Sequence, residues 1–142
     1  WRLARACRQR GLILIVAGDA RLARAIGAAG LHLPEWMARR NGLATRRARA
    51  PGMILTVACH SAPALRKAQR IGADAALLAP VLPTASHPGA PCLGALRFAA
   101  LARGARLPVY ALGGIDEKGA RRIRDSGAAG IAGIGFATTA AP

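Results

Sequence analysis

The sequence predicts an α/β fold built on a parallel sheet, and three observations carry that expectation. Short apolar runs at residues 12–17, 53–58, 75–79, 108–112 and 131–134 alternate with helix-spaced segments, giving about six β-then-α steps. A glycine, a small residue and then a strand recur at Gly27-Ala-Ala-Gly30, Gly72-Ala-Asp-Ala75 and Gly127-Ala-Ala-Gly130. The later runs end in small or polar residues, as strands do when their C-terminal ends feed a ligand site. Repetition of one βα unit favours a (β/α) barrel over an open sheet.

In order, residues 1–9 place Leu3 and Cys7 on one helical face and Arg2, Arg5 and Arg8 on the other, and Gly11 ends the helix. The run 12–17 is continuously apolar, which predicts a buried strand. Asp19 is a candidate cap for a helix carrying Leu22, Ala23 and Ile26. Leu31-His32-Leu33 is a very short strand that Pro34 stops while opening a helix. Residues 35–40 make one or two helical turns, and Asn41-Gly42 marks a turn. The most basic stretch follows, with Arg39, Arg40, Arg46, Arg47 and Arg49 on an exposed helix or loop. After the strand at 53–58, Ser61 caps a helix with Ala64, Leu65, Ala68 and Ile71 inward. The strand at 75–79 leads into a proline-rich loop at 80–91, a helix at 93–101 and a strand at 108–112. Asp116 caps a helix at 117–125, the last strand is 131–134, and residues 135–140 would open a closing helix.

The totals limit the function classes. The chain has 142 residues, 53% of them apolar and 4% aromatic, so Ala, Leu, Ile and Val must build the core. No apolar run approaches the ~20 residues of a membrane span, and residues 1–8 lack the apolar centre of a signal peptide. Cys7, Cys59 and Cys92 are odd in number and widely spaced, which argues against a disulfide framework or zinc site and for a reducing cytoplasm. The formal charge is +15. An Arg-rich nucleic-acid binder is one reading of it, but the arginines are spread over helix faces and suit phosphorylated small molecules as well. No GxGxxG or GxxxxGK[ST] occurs, which weakens dinucleotide and P-loop readings.

Taken together, Gly27-Ala-Ala-Gly-Leu-His-Leu33, Ala58-Cys-His-Ser61, Gly72-Ala-Asp74, Pro80-Val-Leu-Pro-Thr84, Pro88-Gly-Ala-Pro91, Ala111-Leu-Gly-Gly-Ile115 and Gly127-Ala-Ala-Gly-Ile-Ala132 resemble the thiamine phosphate synthase family, which includes the TenI-like thiazole tautomerases. The resemblance covers essentially the whole chain. It implies one domain over residues 1–142 and a TIM barrel that begins here in its second helix, without its first two strands. It also implies a transferase of thiamine biosynthesis that joins a pyrimidine diphosphate to a thiazole phosphate, with Mg2+ bridging the pyrophosphate. Six units would not close an eight-stranded barrel, so either the sequence is a fragment, or a second copy or fusion partner covers the open edge, or the edge stays exposed.

Carried over residue by residue, the resemblance is uneven. The metal-binding Asn-Asp pair falls on Ala17 and Gly18, which leaves Asp19, one residue late, and Glu35, out of register, as weak metal candidates. His32 reads as a strand-end packing residue. The loop after the 75–79 strand offers Thr84, Ser86 and His87 to a thiazole phosphate or pyrophosphate. The tautomerase histidine position holds Pro80. The glycine pairs at the next two strand ends fit best: Gly113 and Gly114, then Gly133 and Gly135, would cradle the phosphate of thiazole phosphate or thiamine phosphate through backbone amides. An alternative for these glycines is service in turns alone. Cys59 and His60 form a conceivable nucleophile–base pair, but neighbours on a strand point to opposite faces. The expectation is a phosphate-binding domain with catalytic and metal ligands partly lost, or a non-catalytic regulatory domain of the same fold.

Overall fold

The computed structural model describes residues 1–84 and 88–133. Helices and strands alternate throughout: α1 (Arg2–Gln9), β1 (Ile15–Ala17), α2 (Ala20–Ala25), β2 (Gly30–Leu33), α3 (Glu35–Ala48), β3 (Ile54–Cys59), α4 (Ala62–Arg70), β4 (Ala75–Leu78), α5 (Gly94–Gly104), β5 (Val109–Leu112), α6 (Glu117–Arg122) and β6 (Gly130–Ala132). The strands form one sheet in chain order, and every neighbouring pair is parallel. This is the α/β partial barrel that the repeated units predict. Among the described residues β1 and β6 lie at the two ends of the strand order, so the sheet is not closed.

Parallel neighbours joined by right-handed crossovers put all their helices on one face. That face holds the core. Along β3, Leu55, Val57 and Cys59 are fully buried, as are Leu31, Leu33, Leu78 and Val109 on the adjoining strands. Ala64, Leu65 and Ala68 of α4 and Phe98 of α5 belong to the same cluster. Residues of opposite parity face the concave side. There Ile54, Ala58 and Leu77 are only half-buried, and Tyr110 is 37% exposed.

The helix starts follow from local chemistry. Asp19 Oδ1 accepts from Leu22 N at 2.9 Å, Ser61 Oγ from Ala64 N at 3.3 Å and Asp116 Oδ1 from Gly119 N at 2.6 Å. Each bond satisfies an amide that the first helical turn leaves without a partner.

Two elements depart from the sequence-based expectation. The run 12–17 is not a buried strand: only Ile15–Ala17 pairs, while Leu12 and Ile13 are 60% and 69% exposed. A continuous apolar run is buried only when both faces are covered, and β1 lies at the end of the strand order. The expected turn at Asn41-Gly42 is instead a kink within α3, with Asn41 at φ −129° and ψ 16°. Gly42 serves helix packing there. A Cβ at this position would lie 2.9 Å from Ile71 Cδ1, so its absence lets α3 approach the end of α4. Smaller differences are that α6 stops at Arg122 and β6 spans Gly130–Ala132. The expected closing helix at 135–140 lies outside the described residues.

One polar staple holds the N-terminal edge of the sheet. Asp74 Oδ2 accepts from Leu55 N at 2.7 Å and from Arg49 Nη1 at 2.8 Å. It thereby ties the start of β4 to β3 and to the segment after α3. Burial pushes the Asp74 carboxyl up, but the Leu55 N–H and the Arg49 guanidinium, with Arg46 beyond it, outweigh that and hold it below its ordinary value. A carboxyl lowered by folding stabilises above its unfolded pKa of about 3.9, and the gain is lost as pH falls through the folded pKa. Asp74→Asn is therefore expected to be less stable than the parent at pH 7. The exposed side chain keeps the charge contribution small, so most of the loss, about 1–2 kcal/mol, comes from the weakened bonds. Urea unfolding at pH 7 and at pH 3 checks this. A gap between the two proteins that does not narrow at pH 3 would refute the charged-staple account.

Candidate functional site

Because all six strands are parallel, their C-terminal ends emerge on one edge, and the residues that follow them form the candidate site. In order these are Gly18, Glu35, His60, the segment 79–84, Gly113-Gly114 and Gly133. Ser86, His87 and Gly135 lie outside the described residues.

The segment after β4 runs beside the end of β5. Val81 N donates to Leu112 O and Leu82 N to Gly113 O, both at 3.0 Å. Leu93 N and Gly94 N return to Pro80 O and Val81 O at 3.0 and 2.9 Å, which seats the start of α5 against the same segment. Val81 and Leu82 are buried, the Ala79–Pro80 peptide is cis, and Thr84 is half-buried at the segment's end. Gly113 and Gly114 adopt φ +91° and +67°. A Cβ on Gly113 would lie 3.0 Å from Pro80 Cα, and one on Gly114 would collide with Pro83 O and come within 2.6 Å of Leu82 O. Both glycines are thus required by the close approach of two backbone segments, whatever else they bind. Gly133 follows β6 and is exposed.

The carboxylates near the strand ends are already engaged. Asp19 caps α2. Glu35, in the first turn of α3, accepts from His60 N through Oε2 at 2.9 Å, so it bridges the ends of β2 and β3. Among the described residues no three His, Cys, Asp or Glu side chains gather where they could hold a metal ion.

The histidines connect neighbouring strands. His60 Nδ1 lies 2.8 Å from Ala79 O, which links the β3 end to the β4 end. On the concave face His32 Nδ1 lies 2.9 Å from Thr56 Oγ1 of the adjacent strand, its register partner. Burial holds the His32 imidazole below its ordinary value, which favours the neutral ring. Cys59 and His60 do not meet as a pair. Cys59 is fully buried on the helix side, and burial, with Glu35 adding a smaller push, raises its thiol to about 12, whereas His60 is exposed. A thiol so placed is not a nucleophile at neutral pH.

Sequence reasoning brought Gly113, Gly114, Thr84 and Glu35 to one edge. It missed the His60–Ala79 link and the use of Glu35 as an acceptor for the β3–α4 turn. Both are contacts across 19 and 25 residues, and only strand order brings such residues together.

Comparison with known proteins identifies the family that the fold alone leaves open. The family model described as thiamine monophosphate synthase matches residues 1–136. The chain is 36% identical over 138 residues to the thiamine-phosphate synthase of Chlorobium luteolum, covering 94% of this chain and 63% of that protein. It is 36% identical over 133 residues to the thiamine biosynthesis bifunctional protein ThiM/ThiE of Symbiobacterium thermophilum, covering 92% of this chain and 27% of that protein. In fold it is similar to thiamine phosphate pyrophosphorylase from Pyrococcus furiosus, with a TM-score of 0.76 at 24% identity over 93% of this chain and 61% of that one. The chain therefore spans about three fifths of the length of the single-function synthase it matches. With a family match over nearly its full length and a six-stranded parallel partial barrel, the chain belongs to the thiamine monophosphate synthase (TMP-TENI) family.

Proposed function

We propose that this chain is a thiamine phosphate synthase/TenI-like domain of thiamine biosynthesis that binds thiazole phosphate or thiamine phosphate along the C-terminal edge of its sheet. The observation that carries the reading is the family match over residues 1–136 on a sheet whose strand ends all open on one edge. Gly113 and Gly114 with Gly133, and Gly135 beyond them, would offer backbone amides to the phosphate. Thr84, Ser86 and His87 would donate to the ligand from the β4 loop. Residues 1–142 act as part of one barrel domain, whose open edge is completed by further strands of the same protein, by a second copy or by a fused partner; a bifunctional relative is known. Among the described residues no helix is long and apolar enough to cross a membrane, and the reading places the protein in the cytoplasm.

The described residues do not fit a Mg2+ ion held by protein carboxylates. Asp19 and Glu35 each give one oxygen to a backbone N–H, Ala17 and Gly18 carry no side-chain ligand, and among the described residues no three His, Cys, Asp or Glu side chains gather around a common point. No step of the reading runs through a metal. This favours a domain that keeps ligand binding while its catalytic and metal-binding groups are partly lost, over a full transferase.

The test combines an assay with a binding measurement. Incubation with the pyrimidine diphosphate, thiazole phosphate and Mg2+ is expected to yield little or no thiamine phosphate, while calorimetry detects binding of thiazole phosphate or thiamine phosphate. Turnover at a rate typical of enzymes, on the order of 1 per second or more, would overturn the loss of catalysis. Absence of binding by either ligand would overturn the site.

A further inference from the structure

We propose a second anion site, which borders the strand-end edge at Glu35 and Ser61 and runs away from it along the helices: the groove between α3 and α4 binds a small molecule carrying two or more linked phosphates. The groove has a volume of about 470 Å³ and is lined by Glu35 and Arg39 of α3 and by Ser61, Pro63, Ala64, Lys67 and Arg70 at and along α4. That volume lies within the range of small-molecule sites, about 300–1,000 Å³. The helix geometry makes room for it. The kink at Asn41 separates the half of α3 that lines the groove from the half where Gly42 packs on Ile71.

The charge in the groove is unbalanced. Arg39, Lys67 and Arg70 face one carboxylate, and an oxygen of that carboxylate already accepts from His60 N. Among the described residues the salt bridges are Arg49–Asp74 and Arg121–Glu117, so none of the three groove cations is neutralised by an acid. Lys67 and Arg70 sit in the last turn of α4, where the helix carbonyls favour positive charge. Arg39 lies in the turn of α3 that the Asn41 kink ends, so the same carbonyl effect reaches it, and what sets the groove apart is that all three cations border one concavity. Three unneutralised cations around one concavity repel one another, and an anion of charge −2 or more relieves that repulsion. The two guanidinium groups suit bidentate contact with phosphate oxygens, and the Lys67 ammonium adds a point charge.

The lining also narrows the ligand. Among the described residues no aromatic side chain borders the groove, and its apolar lining residues are Pro63 and Ala64. Nothing there would stack a base, so the structure favours the polyphosphate itself over a nucleoside.

The experiment is calorimetric titration of the full chain with inorganic tripolyphosphate at about 50 mM salt, where screening reaches roughly 14 Å. The protein is first saturated with thiazole phosphate so that the strand-end site is occupied. Tripolyphosphate is expected still to bind. The double variant Lys67→Gln/Arg70→Gln and the single variant Arg39→Gln should each weaken it at least tenfold. Arg121→Gln/Arg122→Gln, with the same charge change on α6, should leave it unchanged, and circular dichroism verifies that all variants fold. Equal weakening in the α6 control would reduce the effect to net charge and overturn the site. So would displacement of tripolyphosphate by thiazole phosphate, or an absence of binding. Tight binding of single-stranded RNA that tripolyphosphate cannot displace would replace the proposal with a nucleic-acid surface. Because thiazole phosphate binding is read separately, failure of this groove leaves the strand-end reading intact.

Discussion

Phe98→Ala is expected to destabilise the fold by about 3–5 kcal/mol. Phe98 is fully buried and is the largest side chain in the core. Only 4% of the sequence is aromatic, so alanines and mid-sized aliphatics cannot refill the space it would leave. The loss is large against the ~5–15 kcal/mol total stability of a typical domain. Its position makes the effect functional too. Phe98 anchors α5, and the start of α5 is hydrogen-bonded to the 80–81 segment that runs along the β5 end. Urea unfolding followed by circular dichroism should show a lower midpoint with little change in slope. A loss under about 1 kcal/mol would mean that the core relaxes around the site, contrary to the close-packed cluster described above.

Gly114→Ala is expected to cost more than Gly52→Ala, the comparable left-handed glycine in open space. A left-handed residue with a Cβ costs about 1–2 kcal/mol. Here the added atom would also strike the carbonyls of Leu82 and Pro83, which are backbone and cannot turn aside. Gly52 provides the comparison. It has φ +76° and nothing within 4 Å of an added Cβ, so Gly52→Ala bears the conformational cost alone. The difference between the two variants in thermal or urea unfolding isolates the collision between the β4 and β5 ends. Gly114→Ala is also expected to weaken thiazole phosphate binding at least tenfold, measured by calorimetry on the fraction that remains folded, while Gly52→Ala leaves binding alone. Equal stability losses in the two variants would show that the backbone segments separate freely, and the strand-end site would then lack the rigid wall assigned to it.

The two variants mark where sequence reading succeeds and where it stops. Gly113-Gly114 was legible as a special pair because two adjacent glycines after an apolar run have few other uses. That the pair is needed for close approach of the 80–83 segment was not legible, since the partner backbone lies some 30 residues away in sequence. Asp19, Ser61 and Asp116 were readable as caps because a cap is a contact over three residues. Glu35 was read as a possible metal ligand because a carboxylate near a strand end is ambiguous until its partner is known. The partner is His60 N, one strand over.

The same division holds for the whole molecule. The six-step alternation, the parallel α/β class and the family resemblance all rest on local pattern: apolar period, glycine punctuation and short motifs in order. These need only near neighbours, and the residues state them directly. Exposure of the 12–17 run, the kink in α3, the Arg49–Asp74–Leu55 staple and the cationic groove of Arg39, Lys67 and Arg70 depend on which strand and helix lie alongside which. Burial and charge balance are properties of surroundings assembled from distant segments, and only the packed sheet and its helices bring those segments together.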